Sequence, residues 1–245
     1  MYVLGIDIGT TCTKAVVLAK SGEVVSSGSH GYRLISNGSH IEQRAEDWTE
    51  AVVQATCEAL RSVDGNQIEA ISLSTQGASC VAMDKDWNAI GNALTWMDTR
   101  AVAEARELEE KLTSDYIYAT TGWKPNPTLD AAKIMYMKKQ PQYANAVCFI
   151  STLEFANLFL TGSAVVDPTN AAMRQLYNIE KGCWDERLLE ASEIQEEELT
   201  PVLPTGARIG ELTHNAAKLM GLPVGIPVFN GAHDQYCAAI GAGAV

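Results

Sequence analysis

The chain has 245 residues, enough for one large or two modest domains with a proper core. Hydrophobic residues make up 47% and charged residues 20%, a balance that excludes disorder and suits a soluble globular enzyme. Thirty acidic residues against eighteen basic ones leave a formal charge of -12, which repels phosphate backbones and anionic lipid headgroups and argues against nucleic acid or membrane as a partner.

Residues 2–8 read as a buried strand, 15–19 as a second after a four-residue turn, and 24–25 as a third after the turn Ser21-Gly22-Glu23. Together they predict an antiparallel meander. Asp47 is expected to cap a helix, with Glu50 reaching back and Trp48, Val52, Ala55 and Ala59 recurring at helical spacing. Strands follow at 68–74 and 81–83, the latter closed by Asp84-Lys85-Asp86. A charged amphipathic helix is expected over 99–112 and another over 129–139, after the breakers Pro125 and Pro127. A strand at 146–150 leads into a capping box, Ser151 with Glu154, and a helix running to Leu160 that Gly162 stops. The region 161–212 reads as irregular. Thr213 then caps a short helix ended by Gly221 and Pro223, and 227–229 is the last strand. A meander followed by strands alternating with helices predicts an α/β fold with a mixed sheet and flanking helices, as one domain or one domain with a substantial insertion.

The six cysteines (Cys12, Cys57, Cys80, Cys148, Cys183 and Cys237) form no Cys-x-x-Cys pair, so reduced core thiols in the cytoplasm are the expectation. No apolar stretch reaches membrane-spanning length, and the N-terminus has no charged, signal-like region.

Two aspartates carry the chemistry. Asp7 follows the apolar strand Val3–Ile6, and Gly9-Thr10-Thr11 turns the chain into the next strand. Glycines at 5 and 9 permit close backbone approach, while the turn offers successive N–H donors and two hydroxyls, as terminal phosphates require. A neighbouring carboxylate can hold Mg²⁺ through water, and Lys14 can add positive charge. The loop is not a Walker A motif, and a plain Gly/Thr hairpin turn is the alternative. Asp234 follows Asn230-Gly231-Ala232-His233 at a helix start, where the macrodipole and N–H donors favour a carboxylate. Such a carboxylate can take the proton of a hydroxyl attacking phosphorus, or it can be a simple helix cap. Between the two lie Gln76, at a strand end, and Trp96-Met97-Asp98-Thr99-Arg100. Trp96 gives a flat face for a sugar, and Asp98 and Arg100 can bind hydroxyls. Alternatively, Asp98 caps the next helix and Arg100 pairs with Glu104.

Taken in order, these segments resemble the N-terminal domain of the FGGY family of carbohydrate kinases over essentially residues 1–245. The carriers are Asp7-Ile8-Gly9-Thr10-Thr11, Ile41-Glu42-Gln43 leading to Trp48, Trp96-x-Asp98-x-Arg100, Leu160-Thr161-Gly162, Val166 to Ala171 with Trp184-Asp185, and Gly221 to Val228 leading to Asp234. The resemblance implies an actin-like, ribonuclease H-like ATPase domain and a cleft enzyme using ATP and Mg²⁺. It implies phosphorylation of a sugar hydroxyl, with a ketopentose such as xylulose as the leading acceptor. By the same resemblance, Asp234 is the general base and Asp7 lies at the metal. Gly9, Thr10, Thr11, Thr13 and Lys14 face the ATP phosphates. Gln76, Gly77, Ala78, Trp96, Asp98, Arg100 and Gln235 line or support the sugar site. A homodimer is left open.

Departures from the family pattern bear on the acceptor. Xylulose kinases typically carry Gln-Met-His-Gly where this chain has Gln76-Gly77-Ala78-Ser79, and the Arg-Glu pair typical of glycerol kinases is missing. The pocket is therefore expected to be wider or to contact the sugar differently. Tyr136 stands where the family usually has Trp, a change read as structural. Family members are considerably longer, with a second domain for adenine and ribose, so the expectation is a chain ending after its first domain that binds sugar weakly and holds ATP poorly. Other polyol kinases, a hydrolase of the same fold and a catalytically silent sugar-binding protein are the alternatives.

Overall fold

Alternation of side chains builds the centre of the molecule. The computed structural model describes residues 1–244. Strand β1 (Tyr2–Ile8) turns Leu4, Ile6 and Ile8 into the core and leaves Gly5 and Asp7 on the other face. It pairs antiparallel with β2 (Cys12–Ala19), which pairs antiparallel with β3 (Val24–Gly31), giving the expected meander. The third strand is longer than its two valines suggested, because serines and glycines continue the ladder along β2. A hairpin that the sequence did not announce follows, β4 (Ile35–Asn37) and β5 (His40–Gln43).

Helix α1 (Ala45–Ala59) begins two residues before Asp47, and its N-cap, Arg44, makes no side-chain capping bond. The buried stripe decides the start. Ala45, Trp48, Val52, Ala55 and Ala59 are all inaccessible, so Ala45 must already be helical. Asp47 sits in the first turn instead, 3.7 Å from Arg44.

Next come β6 (Ile68–Thr75), β7 (Cys80–Met83) and β8 (Ala89–Leu94). The expected 99–112 helix starts at Val102, as α2 (Val102–Leu112). Thr113, at φ 66°, breaks it and caps a second, unanticipated helix, α3 (Ser114–Thr121), which Gly122 ends in the left-handed region. Helix α4 (Asp130–Lys138), strand β9 (Cys148–Ser151) and helix α5 (Thr152–Thr161) match their expected places, and the Ser151/Glu154 capping box and the Gly162 stop are both formed.

The stretch expected to be irregular holds several short elements. These are α6 (Pro168–Ala172), the hairpin β10 (Tyr177–Asn178) and β11 (Cys183–Trp184), α7 (Glu186–Ser192) and β12 (Arg208–Glu211). Asp167 and Asp185 cap the two helices through their side chains, a local signal that lay in Asp167-Pro168 and Asp185. Thr213 caps α8 (His214–Met220), and β13 (Pro227–His233) runs directly into α9 (Asp234–Gly241).

The main sheet has the order β12-β13-β6-β1-β2-β3, with β13, β6 and β1 mutually parallel, so it is mixed as expected. A second sheet, β4-β5-β8-β7-β9, is antiparallel. One core lies under the main sheet, where Trp48 meets Phe155 edge-on at 5.9 Å. A second core gathers Leu108, Ile134, Phe149 and Leu188 around the second sheet. All six cysteines are free, yet only Cys80 and Cys148 are buried; Cys57 and Cys183 are exposed, which corrects the expectation of core thiols throughout. Among the described residues no helix is long and apolar enough to cross a membrane.

One irregularity aims the site. Along β13, Phe229 pairs with Ser72 and Ala232 with Ser74, so β13 carries one extra residue at 230–231. Such a bulge reverses the facing of every later side chain. Gly231 is required there: a Cβ would overlap the Leu73 carbonyl oxygen and lie 2.7 Å from its carbon. Asn230 pins the bulge, donating to the carbonyl of Leu203 (2.9 Å) and accepting from Asn157 (3.2 Å). Gly231→Ala is expected to destabilise the fold by about 2–3 kcal/mol, since both colliding groups are backbone. Urea denaturation reads this directly, and an unchanged midpoint would contradict it.

Candidate active site

Three parallel strands end side by side. Asp7, Ser74 and Ala232 occupy one row across β1, β6 and β13, and Ile8, Thr75 and His233 the next. Gly9, Gln76 and Asp234 therefore leave the sheet at the same edge, the carboxyl edge where open α/β sheets bind ligands. Asp7 and Ala232 flank Ser74 of β6, two strand spacings or about 10 Å apart, and Asp234 follows two residues after Ala232. Ser74 donates to Asp7 Oδ1 at 2.7 Å. Exposed Lys14 lies directly opposite Asp7 in the β1–β2 register, on the same face. Both border a groove of about 440 Å³ that Cys237 of α9 also lines.

The turn after β1 is held by its carbonyls. Tyr32 donates its hydroxyl to the Gly9 oxygen and its backbone N–H to the Thr11 oxygen (3.1 Å), and Gln43 donates to the Thr10 oxygen (2.7 Å). The N–H groups of Thr10 and Thr11 have no partner among the described residues, an arrangement suited to an anion. Thr13 differs from the expectation. Strand alternation turns it inward with Ala15 and Val17, and its fully buried side chain faces away from the turn's open side.

Gln43 joins the two halves of the site. Its oxygen accepts from Trp48 (3.1 Å) and from Gln76 (2.7 Å), while its amide nitrogen holds the phosphate-type turn. Gln43→Leu strands two buried groups and the half-buried Thr10 carbonyl, and is expected to cost about 3 kcal/mol, summing partial losses of about 1 kcal/mol each. A loss below about 1 kcal/mol in urea unfolding would show that this hub is not structural.

The residues expected on the acceptor side separate into two groups. Trp96 is 45% exposed and donates its Nε1–H to Thr10 Oγ1 at 3.0 Å, so the aromatic face and the phosphate-type turn are directly linked. Asp98 and Arg100 are buried supports. Asp98 accepts from the Ile41 N–H (2.7 Å) and, through both oxygens, from Arg100, which also binds Glu42 at 2.6 Å. Burial would raise the Asp98 pKa, but these donors outweigh it and hold the carboxyl below its ordinary range. Neither local alternative holds: α2 has Ala101 as N-cap, and Glu104 pairs with Lys139. Tyr136 carries the Arg100 guanidinium 5.8 Å above its ring, a structural role as expected.

The Gln76–Ser79 loop is anchored from beneath. Ala78 sits at φ 48°, a costly conformation for a residue with a Cβ, and the buried Lys133 ammonium donates to its carbonyl at 2.6 Å. The space that a side chain at Gly77 would take is filled by His233 and Met173. His233, Met173, Ser74 and Lys133 border the candidate site and are not among the residues expected from the sequence. The only available signal was His233's position next to Asp234.

Asp234 is the first residue of α9, and the N-cap is His233, so Asp234 is not a plain cap. Its carboxylate is about one-third exposed and lies 3.5 Å from His233 Nε2. Gln235 follows on the exposed side of the helix. Among the described residues no cluster of three or more His, Cys, Asp or Glu side chains is poised to hold a metal.

The profile of the FGGY family of carbohydrate kinases, N-terminal domain, matches residues 2–241. This chain belongs to that family. FGGY relatives include a gluconokinase of Bacillus licheniformis, 30% identical over 247 residues, covering all of this chain and 48% of the relative. A xylulose kinase of Staphylococcus xylosus is 28% identical, covering 99% of this chain and 51% of the relative. The structure of a ligand-bound xylulose kinase from Lactobacillus acidophilus superposes with a TM-score of 0.93 at 29% identity, over 100% of this chain and 50% of the other. The expected FGGY fold, actin-like and ribonuclease H-like, is thus the fold present. The chain spans about half the length of the curated relatives it matches.

Proposed function

We propose that this FGGY domain takes part in ATP-dependent phosphorylation of a sugar hydroxyl, with a ketopentose such as xylulose as acceptor and Asp234 as general base. The observation that carries this reading is the β1–β6–β13 register, which sets Asp7 and Asp234 on either side of one strand end. In the reaction an acceptor hydroxyl oxygen bonds to the γ-phosphorus, the bond from that phosphorus to the ADP oxygen breaks, and the hydroxyl proton passes to Asp234. The transition state is loose, so the base chiefly orients the hydroxyl and accepts its proton late. The free N–H groups of Thr10 and Thr11, with Lys14, face the transferred group. Trp96 packs on the acceptor, and the loop from Gln76 to Ala78 forms its wall.

Mg²⁺ suits this donor set. One carboxylate, Asp7, held by Ser74 on a single oxygen, matches an ion that keeps most of its water and takes its other ligands from phosphates. When bound, it would neutralise charge developing on the phosphates. The free thiols support a reducing, cytoplasmic setting.

ADP release in the presence of xylulose, gluconate or glycerol, measured with this domain joined to a second, adenine-binding domain and coupled to titration calorimetry of each acceptor, tests the proposal. Sugar-dependent ADP release supports it. Sugar binding without turnover would indicate a silent binding protein, and ATP hydrolysis indifferent to sugar would indicate a hydrolase.

A further inference from the structure

Positions 77 and 233 claim the same space. A Cβ at Gly77 would overlap His233 Cδ2, lie 2.7 Å from its Nε2 and 3.0 Å from Met173 Cγ. The room that position 77 gives up is filled by an imidazole, from the residue immediately before Asp234.

The backbone of His233 is firmly placed. Its backbone N–H donates to Thr169 Oγ1 at 2.8 Å, and that hydroxyl donates in turn to the buried Asp167 carboxylate at 2.7 Å. Tyr236 meets the ring edge-on at 6.0 Å. The Gly231 bulge sets the strand phase that brings His233 over the loop. With the whole residue only 9% exposed, Nδ1 is buried and has no partner, while Nε2 lies 3.5 Å from Asp234 Oδ1, within electrostatic reach but long for a hydrogen bond. Burial lowers the imidazole pKa, with Asp234 and Asp167 pulling it part of the way back. A neutral ring carrying its proton on Nε2 presents a donor to the carboxylate side and leaves a lone pair at the buried Nδ1.

We propose that His233 is the specificity-determining residue of the acceptor pocket: its ring replaces a side chain from position 77 as the wall beside Asp234 and offers its Nε2–H edge to a hydroxyl of a polyhydroxy acceptor. The inference rests on the kinase reading above. It requires that positions 77 and 233 act as one unit, since any side chain at 77 displaces the ring.

Calorimetric binding of xylulose, gluconate and glycerol to the 245-residue chain tests this, for wild type, Gly77→Ala, His233→Ala, His233→Gln and the Gly77→Ala/His233→Ala pair. Gly77→Ala is expected to weaken the best acceptor about tenfold, and His233→Ala to change the ratio between acceptors by a similar factor. The paired variant should bind within about threefold of His233→Ala alone, because no ring remains to be displaced. His233→Gln, which keeps a donor, should preserve the wild-type order of acceptors. Additive losses in the pair, or unchanged acceptor ratios in a folded His233→Ala, would overturn the inference and leave the kinase reading standing. Failure of the wild-type domain to bind any acceptor, both alone and joined to the second domain of an FGGY relative, would overturn both. Near-ultraviolet circular dichroism verifies folding, and His233→Asn carries the same comparison if the alanine variant does not fold.

Discussion

Arg174→Met is expected to lower the stability of this domain by about 3–5 kcal/mol, the usual cost of stranding a buried charge. Arg174 and Glu154 are both wholly inaccessible and form an ion pair. The Arg174 Nη1 group also donates to the Phe149 carbonyl at 2.8 Å. Glu154 meanwhile accepts from the Ser151 N–H at 2.6 Å, as the capping box of α5, and from the Thr200 hydroxyl. Removing the guanidinium leaves a carboxylate in an apolar interior with only these neutral donors. The Arg174 carbonyl, which the substitution keeps, accepts from Ala131 at the start of α4, the helix whose Lys133 holds the Ala78 carbonyl. For a domain of this size the loss corresponds to a fall in melting temperature of roughly 10 °C. Glu154→Leu in the Arg174→Met background should recover part of it, because the unpaired charge is gone, though Ser151 and Thr200 remain without their acceptor. A loss under about 1 kcal/mol in the single variant would mean the pair contributes no more than an exposed one.

Asp234→Asn is expected to slow sugar-dependent phosphoryl transfer by about 10²–10⁴, the range typical for losing a general base. The amide keeps the shape of the carboxylate and its place at the start of α9, but it cannot take the proton of the attacking hydroxyl. The proposed role is confined to the step at phosphorus, so acceptor affinity should change far less, by about tenfold or less. Rapid-quench measurement of a single turnover separates that step from product release. Undiminished transfer in a folded Asp234→Asn would remove Asp234 from the mechanism and leave the β1–β6–β13 edge as a binding surface alone.

Local sequence determined much of this domain. The meander, the strand Ile68–Thr75, the Ser151/Glu154 capping box and the Gly162 and Gly221 stops are all readable, because each depends on side-chain period or on a cap within one turn of chain. The ordered motifs along the chain carried the family. Other features were out of local reach. Thr13 lies inside a motif-like run yet faces the core, because pleat direction is set by which face of the sheet α1 covers. Asp98 and Arg100 became supports because Ile41 and Glu42 of β5, far away in sequence, meet Asp98 and Arg100 respectively. The start of α1 followed a buried stripe, not its acidic cap signal. The bulge at Gly231 and the imidazole over Gly77 exist only where β13 meets β6, so no window of either segment contains them. Residues 7 and 234 bear carboxylates by sequence alone. Their placement on either side of one strand end is a matter of long-range strand register, which the packing of the two cores decides.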